Sequence, residues 1–264
     1  MLSEITHRWG LIADGPPLNT PGSLLLPVLW RGQRAMLKIA HNTEELPGFD
    51  LMAWWNGDGA ARVFARQGQA LLLERAQDAQ ALTQLSRTGQ DDAACRILCT
   101  VVAQLHAPRD KPPAGLTPLA VWFQGLEAAA RQHAGVLRSA HATACELLAT
   151  PQDVRCLHGD IHHGNVLDFG ARGWLAIDPK GLVGERGFDY ANLFCNPDLA
   201  TAGDAHRFSR RVDLVAEAAG LQRQRLLQWI LAWAGLSFAW HAEDGTPGEA
   251  ALRVANMAAA ALNR

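Results

Sequence analysis

Apolar and polar positions in the first third of the chain alternate in short runs that are separated by turn residues. The pattern predicts one β-hairpin over residues 24–40, with its turn at 31–33, and a second hairpin around a turn at 68–69. A short helix is predicted between the two hairpins, from residue 43 or 44 to about residue 55. These elements together predict an antiparallel sheet with one helix inserted.

After Arg75 the chain changes to long Ala- and Leu-rich segments in which apolar residues recur at every third or fourth position, which is typical of helices. The predicted helices cover residues 91–106, 136–149, 205–219, 222–241 and 248–262, with one more running from a Thr117–Pro118 N-terminus to about His133. A β-rich insert at 154–178 interrupts them. The fold class predicted is α+β, with a small antiparallel β lobe (1–75) and a larger, mostly helical lobe (76–264).

Composition narrows the class of protein. The 264 residues are 48% hydrophobic, enough for a substantial core, and 24 Lys plus Arg against 26 Asp plus Glu give a net charge near −2. No basic run is present, so a nucleic-acid partner is not expected.

Five cysteines without a C-x-x-C pair argue against a disulfide framework or zinc knuckle and favour a reducing compartment. Neither a signal-peptide core in the first ten residues nor an 18-residue apolar stretch is found, so a cytoplasmic protein without a membrane partner is predicted.

Four polar residues occur in an order that suits phosphoryl transfer. That reaction needs a carboxylate near the attacking hydroxyl, oxygen ligands for Mg²⁺ and a cation on the nucleotide phosphates. Lys38 lies near the end of an apolar run, Asp160 is followed five residues later by Asn165, and Asp178 ends the next apolar run. The combination is more specific than any of its parts, and it predicts an ATP- and Mg²⁺-dependent phosphotransferase.

The segment Leu157–Asn196 resembles the aminoglycoside/hydroxyurea resistance kinase family, and within it the streptomycin 6-phosphotransferases. A weaker similarity extends to Lys38, Glu45 and the segments 54–59 and 71–74. The resemblance implies a protein-kinase-like fold, which agrees with the two lobes predicted from the hydrophobic pattern.

By this resemblance Asp160 would orient or deprotonate the substrate hydroxyl, and Asn165 and Asp178 would hold Mg²⁺. The literal Asp-Phe-Gly at 168–170 begins only three residues after Asn165, and its Asp and Gly residues are typical of a turn. Asp178, at the end of the returning strand, is therefore predicted to be the metal ligand.

The resemblance also implies a nucleotide site in the β lobe. A lysine would contact the α- and β-phosphates and pair with a helix glutamate, for which Glu45 is the best match and Glu44 the alternative. A hinge segment would hydrogen-bond adenine, and the backbone of residues 19–23 could cover the phosphates or could simply form a turn. The predicted nucleotide-binding residues are Lys38, Glu45, Glu74, Gly22 and Ser23.

Three histidines and one aspartate in the matching segment are assigned supporting roles. His158 is expected to brace the catalytic loop by hydrogen bonds. His162 and His163 could form a metal pair, but neighbouring side chains on extended chain point to opposite sides, so a loop or backbone-bonding role is favoured. Asp189 is predicted to be structural, as the cap of a helix beginning near Tyr190.

The acceptor is predicted to be a small hydroxylated molecule. A streptomycin-like acceptor carries guanidinium cations, so carboxylates of the helical lobe should bind it. The candidates are Glu185, Asp198, Glu243 and Asp244. Kinases for hydroxyurea, a sugar or an amino alcohol are alternatives, as is a non-catalytic kinase-like binding module, although a silent module would not need all of Lys38, Asp160, Asn165 and Asp178. A protein kinase is disfavoured because no Ala-Pro-Glu ends the segment after Asp178.

Overall fold

The computed structural model describes residues 2–132 and 135–263. Its strands are β1 (Leu11–Ala13), β2 (Leu18–Asn19), β3 (Ser23–Trp30), β4 (Gln33–Ala40), β5 (Val63–Gln67), β6 (Ala70–Glu74), β7 (Thr117–Pro118), β8 (Val154–Leu157), β9 (Val166–Asp168), β10 (Trp174–Ala176) and β11 (Leu182–Glu185). Its α-helices are α1 (Leu2–Trp9), α2 (Leu46–Trp55), α3 (Ala81–Arg87), α4 (Asp91–Leu105), α5 (Leu119–Trp122), α6 (Gln124–Gln132), α7 (Val136–Ala149), α8 (Leu199–Ala202), α9 (Ala205–Ala219), α10 (Arg223–Glu243) and α11 (Glu249–Leu262). Short 3₁₀ helices cover Thr43–Glu45, Gly170–Arg172, Arg186–Tyr190 and Asn192–Cys195.

The N-terminal strands form an antiparallel sheet in the order β1-β3-β4-β6-β5, with β2 also paired to β3. Both predicted hairpins are confirmed. In the first, the chain reverses through Arg31 and Gly32, whose φ angles of 52° and 79° lie in the left-handed region that favours glycine. The predicted helix is also confirmed, as a 3₁₀ turn that continues into α2.

The two faces of this sheet pack on different partners. One face buries Val28, Leu37 and Leu72 against Ile5 of α1 in a small local core. The other face packs on α2, whose buried Met52 and Trp55 belong to the same apolar cluster as the helical lobe. The sheet is thereby seated on the helical lobe through α2, so residues from both lobes can hold fixed positions around the cleft between them.

The helical lobe is built around α10. This helix is apolar around most of its circumference, as expected for a central helix, and it buries Trp229, Ile230, Trp233 and Leu236. It packs against α7 on one side and α11 on another. No helix among the described residues is both long enough and apolar enough to cross a membrane.

Two small sheets carry the loops of the cleft. Strands β9 and β10 form an antiparallel hairpin, and β11 lies between β8, to which it is antiparallel, and β7, to which it is parallel. The end of β8 leads directly into residues 158–160, and β11 begins directly after residues 178–181. The carboxyl end of β8 and the amino end of β11 therefore meet at the same edge, which faces the cleft.

The predicted helix start, with Thr117 as N-cap and Pro118 as the first helical residue, is one residue too early. Thr117 and Pro118 form β7, in which Thr117 pairs with Leu182 of β11, and Pro118 is the N-cap of α5. The proline therefore precedes the helix and does not occupy its first turn. The predicted end of this helix near His133 lies outside the described residues.

Candidate active site

The β9–β10 hairpin brings Asn165 and Asp178 together at its open end. Ala176 pairs with Val166, and the N–H of Ile177 donates to the carbonyl of Asn165 at 2.9 Å, so Asp178 follows directly on the neighbouring arm. Asp178 has a φ of 61°, an unusual value for a residue with a side chain and one that is common at functional sites.

The literal Asp-Phe-Gly occupies the opposite, turn end of this hairpin. Asp168 pairs with Trp174, and its side chain accepts the N–H of Gly170 at 2.7 Å, which is the turn chemistry predicted from the sequence. Three residues of extended chain, about 10 Å, separate it from Asn165. The structure thus places Asp178, and not Asp168, beside Asn165.

Two amides hold the carboxylate of Asp160. Asn165 Nδ2 donates to Oδ2 at 3.2 Å, and Asn192 Nδ2 donates to Oδ1 at 2.7 Å. The Asn192 amide has a defined orientation because its oxygen accepts from Trp233 Nε1 and Asn196 Nδ2, both at 3.0 Å. Asn192 was not among the predicted site residues, since nothing in the local pattern shows that it reaches a residue 32 positions away.

His158 braces the loop that carries Asp160, through the kind of hydrogen bonds predicted for it. Its ring is fully buried, its Nε2 lies 2.8 Å from the carbonyl of Ile177, and its Nδ1 accepts the N–H of Asp160 at 3.2 Å. Burial lowers the pKa of His158, while the nearby Asp189 and Asp160 carboxylates act in the opposite direction. A neutral imidazole that donates through Nε2 and accepts through Nδ1 fits both contacts.

Asp189 is structural, but it does not cap a helix. Its carboxylate accepts the backbone N–H groups of His158 at 2.9 Å and Gly159 at 2.7 Å, and it lies 2.8 Å from His106 Nε2. It is 1% exposed. A buried carboxylate that binds successive N–H groups fixes the path of the loop immediately before Asp160.

Lys38 joins the sheet to both the helix glutamate and the hairpin. Its Nζ lies 2.5 Å from Glu45 Oε2 and also contacts Asp178 Oδ1. Glu44, the alternative partner, is exposed. Burial would raise the pKa of Asp178, but the Lys38 and Lys180 ammonium groups outweigh it and lower that pKa.

Lys180 is a second cation in the cleft and was not among the predicted site residues. Its Nζ lies 3.8 Å from Asp160 Oδ2 and 3.7 Å from Asp178 Oδ2. Burial would lower the pKa of Lys180, but the carboxylates of Asp178, Asp160 and Glu45 raise it, so the side chain is a cation at neutral pH. The sequence signal that could have identified Lys180 is its position two residues after Asp178.

The predicted phosphate-covering loop is the turn between β2 and β3. A Cβ on Gly22 would lie 2.8 Å from Glu45 Oε1, so the loop passes directly beside the partner of Lys38. Ser23 is 2% exposed, and its N–H donates to Thr20 Oγ1 at 3.1 Å. The Ser23 N–H therefore belongs to the hairpin turn and is not available to a phosphate.

Glu74 links the lobes through its side chain. Its carboxylate contacts Arg172 in the β9–β10 turn, and its own N–H donates to the carbonyl of Arg62 at 2.9 Å. Glu74 therefore offers no free N–H to adenine, and a hinge contact would use the backbone of the residues around it.

The two neighbouring histidines differ in their contacts and in their exposure. His162 Nδ1 accepts the N–H of Gly164 at 3.0 Å and its carbonyl accepts the N–H of Asn165 at 3.0 Å, a backbone-bonding role as predicted. His163 is 1% exposed, and burial lowers its pKa to about 3. Within residues 2–132 and 135–263, no group of three or more His, Cys, Asp or Glu is placed to hold a metal ion.

Glu185, one of the predicted substrate residues, is enclosed by fixed hydrogen-bond donors. It lies at the far end of β11, 3% exposed, and both carboxylate oxygens are occupied. Arg225 donates to them at 3.0 and 2.6 Å, Trp229 Nε1 at 2.7 Å and the N–H of Gln152 at 2.9 Å. The side chain is a structural anchor for α10.

The other predicted substrate carboxylates differ in availability. Asp198 caps α8 by accepting the N–H of Thr201 at 2.9 Å, and its second oxygen accepts from Arg87 at 2.7 Å. The cap and this ion pair hold the Asp198 pKa below its usual value. Glu243 and Asp244 are exposed at the end of α10, roughly 15 Å along the helix from Trp233.

Comparison with known proteins gives a consistent set of relatives. Residues 8–245 match the family described as aminoglycoside/hydroxyurea antibiotic resistance kinase. The chain is 52% identical to a streptomycin 3''-kinase of Klebsiella pneumoniae, over 90% of this chain and 91% of that protein. It is 34% identical to a hydroxyurea phosphotransferase of Kitasatospora aureofaciens (92% and 73%) and 33% identical to a streptomycin 6-kinase of Streptomyces glaucescens (93% and 83%).

A solved structure supports the predicted fold class. A thermostable mutant of an aminoglycoside phosphotransferase, solved with ADP and hygromycin B, superposes with a TM-score of 0.65. The match covers 99% of this chain and 97% of that one at 15% identity, so it concerns the fold alone. The protein-kinase-like, two-lobe α+β fold is confirmed.

Proposed function

Since the chain belongs to the aminoglycoside/hydroxyurea antibiotic resistance kinase family, we propose that it is an ATP-dependent phosphotransferase for a hydroxyl group of streptomycin, and thereby a resistance enzyme. The observation that carries the proposal is the position of Lys38, which contacts Glu45 of the β lobe and Asp178 of the helical lobe. This arrangement matches the cation, helix glutamate and metal-binding aspartate that phosphoryl transfer uses. We expect the enzyme to act in the cytoplasm, where ATP is available.

The residues around Asp160 suit the chemical step. Asp160 orients the acceptor hydroxyl and accepts its proton. The hydroxyl oxygen forms a bond to the γ-phosphorus while the bond from that phosphorus to the bridging oxygen breaks, and ADP leaves with the electron pair. Asn165 and Asn192 hold the two oxygens of Asp160 in place, so one orientation of the carboxylate is favoured before the acceptor arrives.

Asn165 and Asp178 fit a magnesium site. Mg²⁺ usually binds through one or two protein oxygens together with phosphate oxygens, where it neutralises the charge of the nucleotide. The Asn165 amide donates to Asp160 through Nδ2, which leaves its oxygen to act as a ligand, and Asp178 supplies a carboxylate on the adjacent arm. One amide and one carboxylate are too few for a stand-alone metal cluster, and they suit a metal that arrives with ATP.

The proposed acceptor rests on the relatives. The higher identity to a 3''-kinase than to a 6-kinase makes the 3''-hydroxyl of streptomycin our first expectation. Four carboxylates were predicted to bind the guanidinium groups of streptomycin. Of these, Glu243 and Asp244 have exposed side chains and no structural role evident from their position. We propose that these two contribute to binding the cationic acceptor.

A test of this function measures ADP release with Mg-ATP across streptomycin, other aminoglycosides, hydroxyurea, simple sugars and amino alcohols. Asp160→Ala serves as the blank. Streptomycin should give the highest kcat/KM and a product that carries one added phosphoryl group. Phosphorus–proton NMR of that product identifies the modified hydroxyl, and coupling to the proton at C6 would replace the 3'' assignment.

Hydroxyurea is the second candidate because a hydroxyurea phosphotransferase is 34% identical to this chain, close to the 33% of the streptomycin 6-kinase. A higher kcat/KM for hydroxyurea than for streptomycin would reassign the acceptor and keep the phosphotransferase. Binding of Mg-ATP with no phosphorylated product from any acceptor would instead favour a non-catalytic binding module.

A further inference from the structure

We propose that the Lys180 ammonium is a catalytic group that binds the γ-phosphoryl group of ATP and stabilises its negative charge during transfer. The proposal rests on the phosphotransferase function proposed above but not on the identity of the acceptor. It assigns a second cation to the site, distinct from Lys38.

The position of Lys180 between two carboxylates carries the inference. Asp160 lies where the acceptor hydroxyl must attack, and Asp178 lies where the metal-bound phosphates must sit. Lys180 Nζ is 3.8 Å from the first carboxylate and 3.7 Å from the second. Among the lysines and arginines of the described residues, it alone lies within 4 Å of both. The phosphoryl group that passes from ATP to the acceptor must cross the space beside it.

The two cleft lysines have different contacts. Lys38 is 8% exposed and forms short contacts to Glu45 and Asp178, so it is already paired on two sides. Lys180 is 27% exposed, and its distances to both carboxylates exceed those of a hydrogen bond. Its three N–H groups are therefore not used by these contacts and can bind phosphate oxygens instead.

The backbone holds the base of this side chain rigidly. The N–H of Lys180 donates to the carbonyl of His158 at 2.7 Å, which ties it to the catalytic loop. A Cβ on Gly159 would lie 3.1 Å from Lys180 Cβ, so the two segments are closely packed. Only the flexible end of the side chain is free to follow a phosphoryl group as it moves.

The use of lysine in this chain is selective. Arginines number 21 and lysines only three, namely Lys38, Lys111 and Lys180. Two of the three therefore face the cleft carboxylates, while Lys111 is exposed. A compact ammonium on a flexible stem can approach a moving phosphoryl oxygen where a planar guanidinium fork would favour a fixed bidentate contact.

Kinetics of Lys180→Met, with Lys111→Met as the matched control, test the role. Loss of one group that stabilises transition-state charge typically lowers kcat by about 10²–10³-fold, and we expect a fall of that size for Lys180→Met with the acceptor KM changed by less than about threefold. Lys180→Arg should recover part of the loss, because the charge returns with a different shape. Lys111→Met should match the unsubstituted protein.

Nucleotide binding separates a γ-phosphoryl contact from a structural role. The affinity for Mg-ADP should stay within about twofold in Lys180→Met, whereas the affinity for the non-hydrolysable Mg-AMP-PNP should fall by about tenfold or more, as expected for one lost charge-assisted hydrogen bond. Retained Mg-ADP binding also shows that the variant is folded. An equal loss for both nucleotides, or an unchanged kcat, would overturn the proposal.

Failure of the acceptor assignment would look different. If streptomycin is not phosphorylated, the comparison of ADP with AMP-PNP and the slow hydrolysis of ATP by water still report on Lys180. A selective loss of AMP-PNP affinity would then support Lys180 while the acceptor is reassigned. Unchanged AMP-PNP affinity would reject Lys180 whatever the acceptor proves to be.

Discussion

Strand β11 lies between two charge clusters, one partly exposed in the cleft and one buried, and the two are built in opposite ways. At its amino end, Lys180 lies near Asp160 and Asp178, with Lys38 and Glu45 alongside. At its carboxyl end, Glu185 binds Arg225. Between Lys180 and the strand lies Gly181, and the strand itself spans about 10 Å from Leu182 to Glu185.

The clusters differ in how completely their polar atoms are paired. Every oxygen of Glu185 is occupied by fixed donors, and the cluster is closed to solvent. The cleft cluster has three carboxylates and two lysines, with two of the contacts longer than a hydrogen bond. A closed, neutral cluster stabilises the fold, whereas an open one retains capacity to bind phosphate and metal. We therefore expect substitutions to separate activity from stability along this one strand.

The largest effect is expected at the open end of the hairpin. Asp178→Ala should lower kcat by at least about 10³-fold, because it removes both a Lys38 partner and the proposed Mg²⁺ ligand. The free energy of unfolding should fall, but by less than it does for Glu185→Ala, because Lys38 keeps Glu45 as its partner and the Asp178 side chain is partly exposed. ADP-release assays over a range of Mg²⁺ concentrations, together with urea denaturation, measure both. Activity near that of the unsubstituted protein would remove Asp178 from the metal site.

Glu185→Ala should show the opposite balance, with a large loss of stability and a small change in activity. Removing one partner of a buried ion pair leaves Arg225 unpaired, so we expect the free energy of unfolding to fall by about 3–5 kcal/mol. The folded fraction, assayed at low temperature, should keep kcat and the streptomycin KM within about threefold. Arg225→Met combined with Glu185→Leu should recover part of the stability. A selective rise in the streptomycin KM would restore Glu185 as a substrate residue.

An intermediate effect is expected beside the cleft, at Asn192. Asn192→Ala removes a donor to Asp160 and should lower kcat by about 10–100-fold with little change in either KM. Asn192→Asp places a like charge 2.7 Å from Asp160 Oδ1 and should raise the pKa of the acidic limb of the kcat profile. Trp233→Phe, which removes the indole donor to Asn192 together with part of a buried ring, should lower kcat by less than Asn192→Ala does. If the pH profile of kcat does not shift in Asn192→Asp, the role of Asn192 is purely structural.

The smallest effect is expected at the literal Asp-Phe-Gly. Asp168→Ala loses the hydrogen bond to the N–H of Gly170, so the free energy of unfolding should fall by about 1 kcal/mol while kcat changes by less than about threefold. The variant is a direct control for Asp178→Ala because both residues belong to the same hairpin. A greater loss of activity in Asp168→Ala than in Asp178→Ala would invalidate the choice between them.

The local pattern of apolar and turn residues was sufficient to predict most elements of the fold. The helix predicted over 136–149 and that over 205–219 match α7 and α9, and the predicted hairpins have the observed strands and turns. Turn chemistry at 168–173 also sufficed to place Asp178 beside Asn165. Each of these depends on interactions between residues that are close in sequence, where periodicity and turn residues carry the information. The roles of these residues in catalysis are still predictions.

Partners distant in sequence were decided only by the tertiary structure. Glu185, which sequence charge made a substrate candidate, is sealed by Arg225 40 positions later, and Asn192 is oriented by Trp233 41 positions later. Lys180 faces two carboxylates because the end of β8 meets the start of β11 at the cleft. The order of Lys38, Asp160, Asn165 and Asp178 along the chain indicated the chemistry. Charge alone could not separate a structural acid from a cleft acid, because that depends on which end of a strand the folded chain buries.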